Sequence, residues 1–71
     1  MDHETHPQLT EHELRVLRLV SKGLTNKQIA HSLNIAERTV EFHLSNIFQK
    51  LNVSSRTAAT VSAGKLGLLE K

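Results

Sequence analysis

The 71-residue chain has no cysteine, no tryptophan and no tyrosine, a single proline and only two phenylalanines. Without cysteine it can form no disulfide, no thiolate zinc site and no nucleophilic thiol, so a domain of this size must draw its stability from regular helix packing. The same absence fits a reducing cytoplasm, which is where this reading places the protein. No stretch approaches the ~18 to 20 apolar residues of a membrane span, and the polar opening MDHETHPQLTEHE lacks the apolar segment of a signal peptide. The expectation is therefore no membrane association. With 38% apolar residues the chain can build one small core and no more.

The formal charge of +2 conceals a polarity along the chain. Four of the seven acids (Asp2, Glu4, Glu11, Glu13) precede the first basic residue, and from Arg15 to Lys65 eight Lys or Arg face only Glu37 and Glu41. A basic segment of this kind is a moderate signal for a polyanionic partner. Five histidines raise the question of a metal, but only His3 and His6 are close in sequence and no pair falls at i, i+4 within a helix. No metal and no cofactor are expected. The serines form no recognisable arrangement with a histidine and an acid, and so small a core leaves no room for a deep pocket, which argues against an enzyme.

Residues 1–8 lack periodicity and read as a disordered lead or the end of a linker, with one domain over residues 9–71. Thr10 and Glu13 have the spacing of a capping box that opens a first helix, and Gly23 is placed to end it through a left-handed turn. Thr25 caps a second, short helix, which Asn34 interrupts because Asn tolerates the left-handed backbone of a tight corner. A third helix carries the cleanest stripe in the chain, Val40, Leu44, Ile47 and Leu51. Asn52 ends it, Ser55 caps a fourth helix, and Gly67 closes that one. The pattern predicts an all-α fold: a four-helix bundle containing a helix-turn-helix, with helices at about 11–22, 26–32, 37–51 and 55–66.

The segment from Thr25 to Leu51 is two helices joined by a short corner, the layout of a DNA-binding helix-turn-helix, although any tight helical hairpin shares part of it. Small Ala30 suits the crossing point, and Ile29, Leu33, Ile35 and Val40 supply contacts that set the angle. At about 100° per residue, Arg38, Phe42, Ser45 and Gln49 project opposite Val40, with Glu41 and Asn46 on the flanks. These side chains match base edges: Arg to guanine, Gln or Asn to adenine, Glu to the cytosine amine, and a ring to the thymine methyl. Phe42 also has a plainer reading, since single apolar side chains are common on protein surfaces. On the fourth helix Ala58, Val61 and Lys65 lie opposite Ala59 as a narrow apolar strip, too small for a second core.

The residues from Leu9 to Leu68, which include the strings LTEHELRVLRLVSKG, LTNKQIAHSLNIAERTVEFHLSNIFQKL and VSSRTAA, resemble the LuxR-type, or GerE-like, DNA-binding domain of bacterial transcription regulators. The resemblance implies sequence-specific binding of double-stranded DNA, with the third helix in the major groove and the fourth pairing two copies as a weak homodimer assembled on DNA. By position it assigns Glu41, Phe42 and Ser45 to bases, Arg38 being added on geometric grounds, and Asn26, Lys27, Thr39, His43, Asn46 and Lys50 to the phosphate backbone or its support. His43 borders the apolar stripe and reads equally as a satisfied boundary histidine. The dimer would use Ala58, Val61 and Lys65. Such domains usually end longer chains, so this sequence is either a fragment that lacks an N-terminal receiver or ligand-binding domain, which the linker-like lead ending at Pro7 favours, or a stand-alone member.

Four positions depart from the family pattern. Ala36 stands where Ser or Thr often caps the recognition helix, Glu41 where Lys or Arg is common, His12 where Arg is usual, and Thr60 where an apolar residue is usual. An acid at position 41 weakens attraction to a polyanion and so favours the rival reading, a helix-turn-helix that binds another regulator. Salt dependence separates the two, because groove binding weakens steeply with salt and an apolar protein interface does not. A third reading, a bundle with packing as its sole purpose, leaves Arg38, Phe42 and Gln49 together by accident.

Overall fold

Helix termini leave backbone groups without intrahelical partners, and this chain supplies most of those partners locally. The computed structural model describes residues 9–69; the proposed lead over residues 1–8, with His3 and His6, lies outside the described residues. Helix α1 (Glu11–Ser21) opens with a capping box in which Thr10 Oγ1 accepts from the Glu13 N–H at 3.1 Å and Glu13 Oε1 accepts from the Thr10 N–H at 2.9 Å. Helix α2 (Asn26–Leu33) repeats the device with Thr25 and Gln28. Helix α4 (Arg56–Lys65) is capped by Ser55, whose Oγ accepts from the Ala58 N–H at 3.1 Å. Helix α3 (Glu37–Leu51) differs: Ala36 takes the extended cap conformation but its side chain has no acceptor to offer.

The four helices among the described residues all end in one way. Gly23, Asn34, Asn52 and Gly67 take positive φ, of 89°, 58°, 58° and 73°. The residue after each, Leu24, Ile35, Val53 or Leu68, donates its N–H five residues back, to Leu19, Ala30, Phe48 or Ala63. This is the Schellman arrangement, and it turns each following apolar side chain back against the core. Gly meets no steric penalty there and Asn a small one.

Helix boundaries fall within one residue of expectation. α1 stops at Ser21 because Lys22 already belongs to the turn, and α2 reaches Leu33 because the chain reverses only at Asn34. Ser55 stands outside α4 as its extended cap, and Leu66 lies in the closing turn.

Helix α3 packs against the other three. Its stripe of Val40, Leu44, Ile47 and Leu51 meets Val16, Leu17 and Val20 of α1, Ile29 and Ala30 of α2, and Ala59 and Ala63 of α4 in one buried cluster. Leu17, Ile29 and Ile47 are wholly removed from water, worth about 1.5 to 3 kcal/mol apiece. α4 buries only two alanines of its own, which permits close approach to α1 and α3. Leu19 of α1 is half-buried. Three residues, Asn34 to Ala36, join α2 to α3, so the outward side of α3 is held at a set angle against two supporting helices.

Candidate nucleic-acid interface

Burial divides α3 into strips. Val40, Leu44, Ile47 and Leu51 face the core, whereas Arg38, Glu41, Phe42, Ser45 and Gln49 are exposed. Phe42 keeps 62% of its surface in contact with solvent, the largest exposure of any big apolar side chain among the described residues. A ring so exposed contributes little to the fold, so its presence on a polar face is not accounted for by packing. The four side chains assigned to bases therefore share one continuous outward face. No ion pair joins Arg38 to Glu41, although Glu41 follows Arg38 at i+3 on the helix.

The residues assigned to the phosphate backbone flank that face on both sides. On the α1 side Thr39, His43 and Asn46 are half-buried along one strip of α3 that ends at exposed Lys50. The His43 ring lies 6.1 Å from the ring of His12 and 6.0 Å from that of Phe42. His12, the residue that departs from the family pattern, thus meets α3 across a small cavity shared with Arg15, Val16, Leu33 and Ile35. On the other side, Asn26 and Lys27 open α2. Asn26 lines a shallow depression with Glu41, Ser45, Phe48 and Arg56. Lys27 is exposed in the first turn of α2, where the positive end of the helix dipole adds to its charge.

Two of these residues are already engaged within the fold. Lys50 Nζ donates to Glu13 Oε1 at 2.8 Å, so the same carboxylate closes the α1 capping box and ties α1 to the end of α3. The Glu13 side chain is 5% exposed. Burial pushes its carboxyl up, but the hydrogen bonds from Lys50 and the Thr10 N–H, with the positive charges of Lys50 and His43, outweigh that and hold it below its ordinary 4.5. Asn26 Oδ1 accepts from Arg56 Nη1 at 2.7 Å, and Arg56 Nη2 donates to the Leu24 carbonyl at 2.7 Å.

Sequence reasoning missed Arg56, the contact of His12 with His43 and the second role of Glu13. Glu13 carried one local signal, the capping box, which concealed its partner 37 residues away. Arg56 carried none, since an arginine in the first turn of a helix is unremarkable without knowledge of what faces it. Ala58 on α4 is half-buried, while Val61 at 53% exposure and Lys65 are open to solvent. Among the described residues no helix is long and apolar enough to cross a membrane.

Residues 7–63 match the family model described as "Bacterial regulatory proteins, luxR family". The chain is 58% identical over 53 residues to the nitrate/nitrite response regulator protein NarP of Escherichia coli K12, covering 75% of this chain and 25% of that protein. It is 46% identical over 61 residues to the transcriptional regulatory protein ComA of Bacillus subtilis 168, covering 86% and 28%. The chain thus spans about a quarter of the length of these relatives. Among solved structures, the transcription factor GerE superposes with a TM-score of 0.80 at 38% identity, over 84% of this chain and 90% of that one. The ComA DNA-binding domain, solved in complex with the anti-activator RapF, gives 0.78 at 46% identity, over 80% and 98%.

Proposed function

Since this chain belongs to the luxR family of bacterial regulatory proteins, as a helix-turn-helix DNA-binding domain of transcription regulators and not an enzyme, we propose that α3 enters the major groove. Arg38, Glu41, Phe42 and Ser45 then meet base edges, while Asn26 and Lys27 on one side and Thr39, His43, Asn46 and Lys50 on the other meet the phosphate backbone. The observation that carries this reading is the flanked face: one exposed strip of base-matching side chains bordered on both sides by amide, hydroxyl, imidazole and ammonium groups. Exposed Val61, with Ala58 and Lys65, supplies a patch through which two copies pair weakly on adjacent half-sites. The response-regulator relative that this chain covers to 25% supports a receiver or ligand-binding domain as its companion in the working regulator, whereas GerE, covered to 90%, supports a domain that works alone; in either form it acts in the cytoplasm.

Selection of bound sequences from a random duplex pool at two salt concentrations tests this directly. A half-site should emerge, and affinity should fall steeply with salt; Lys27→Ala should lower the slope of log K against log salt by about one without changing the preferred sequence. Binding that ignores salt, or selection of no sequence at all, refutes it. The ComA domain solved with a protein bound and the exposed acid Glu41 support a second reading, in which the same domain takes a protein partner. That partner would bind with weak salt dependence.

A further inference from the structure

Arg56 and Asn26 meet across the junction of α4 and α2, and their chemistry removes an ambiguity that a carboxamide normally carries. A guanidinium has only donors, so the end of the Asn26 side chain it grips must be the oxygen. That leaves the NH2 group, with two donors, for another acceptor, and among the described residues none takes it. The second arm of the guanidinium holds the Leu24 carbonyl, one residue before the Thr25 cap. Arg56 thus clamps both the start of α2 and the side chain of its first residue through two short, charge-assisted bonds. A half-buried cation does this from the first residue of α4, next to the depression where Asn26 meets Glu41 and Ser45 of α3.

We propose that Arg56 is a positioning residue for DNA binding: it holds the Asn26 oxygen inward so that the amide hydrogens are presented to a backbone phosphate oxygen. The inference rests on the assignment of Asn26 to the phosphate backbone given above. Pre-orienting the amide spares the ordering of a rotatable side chain at the moment of binding. It also makes the phosphate contact of α2 depend on α4, the helix that carries the proposed pairing patch.

The test is a double-mutant cycle, with affinity for a labelled mixed-sequence duplex of two turns read by fluorescence anisotropy and Tm read in parallel. Asn26→Ala should weaken binding about tenfold, the scale of one hydrogen bond to a charged group. Arg56→Ala should weaken it comparably in the wild-type background and less than twofold in the Asn26→Ala background, because the group it acts through is already gone. Asn26→Asp keeps an acceptor for Arg56 and so keeps Tm, yet loses binding, which a purely structural role would not produce. If Arg56→Ala does not fold, Arg56→Gln, which retains donors but not the two-armed grip, takes its place in the cycle. Losses that multiply would mean that Arg56 touches DNA itself, overturning the proposal. Unchanged affinity in Asn26→Ala, with Lys27→Ala still weak, overturns both it and the Asn26 assignment. A wild-type chain that binds no duplex overturns the groove reading as a whole.

Discussion

Lys50→Ala should destabilise the fold at neutral pH and do so less in acid. Glu13 is buried and has two named partners, the Thr10 N–H and Lys50 Nζ, so removing Lys50 leaves a carboxylate out of water with one neutral donor. Breaking a buried pair from one side costs about 3 to 5 kcal/mol, but the Lys50 side chain is 35% exposed and water screens its charge, which brings the expected loss to about 1 to 2 kcal/mol. For a domain of this size that is a fall in Tm of roughly 5 to 15 °C. The sign of the pH dependence follows from the carboxyl. In the wild type its pKa is depressed in the folded state, so its contribution is full above the unfolded value near 4.5 and is lost as pH falls through the lower folded value. In the variant, burial acts with less opposition and the folded pKa moves upward, so protonation relieves the defect. Thermal melts followed by circular dichroism from pH 7 to pH 3 should show the gap between the two proteins narrowing below about pH 4.5. Equal Tm values at pH 7, or a gap that does not change with pH, would refute the argument. Glu13→Gln keeps an acceptor for the Thr10 N–H and should flatten the acid dependence of stability.

Three further outcomes follow from positions where local chemistry is incomplete or exposed. Ala36→Ser supplies the acceptor that α3 lacks at its first turn and should raise stability by about 1 kcal/mol, seen as a Tm higher by a few degrees; an unchanged Tm means that the cap geometry is not reached. Glu41→Gln should bind mixed-sequence DNA more tightly while losing about 1 to 3 kcal/mol of discrimination at one base pair, measured across single-base variants of the selected site. Tighter binding with discrimination intact identifies Glu41 as a solvated charge. Val61→Arg, at a side chain 53% exposed, should leave Tm and single half-site binding intact while abolishing cooperative occupancy of two half-sites, and retained cooperativity removes α4 from the pairing interface.

The helix starts, the helix ends and the core stripe of α3 depend on near neighbours and were readable along the chain. Thr10 with Glu13, Thr25 and Ser55 mark helix starts because a cap bonds to a backbone N–H three residues on. Gly23, Asn34, Asn52 and Gly67 mark ends because the left-handed turn selects those residues and a following apolar one. The core stripe of α3 was equally legible, since helical periodicity alone puts Val40, Leu44, Ile47 and Leu51 on one side and Arg38, Phe42, Ser45 and Gln49 on the other. The contacts that tie the helices together were not. Glu13 with Lys50, Arg56 with Asn26 and Leu24, and His12 with His43 join residues some thirty or more apart in sequence, and each exists only because α3 and α4 pack where they do. A polar pairing that helical spacing offers on the exposed face of α3, Arg38 with Glu41, does not form. On an exposed face the gain from such a pair is a few tenths of a kcal/mol, too little to hold two flexible side chains, whereas a carboxylate buried by packing must find its cation.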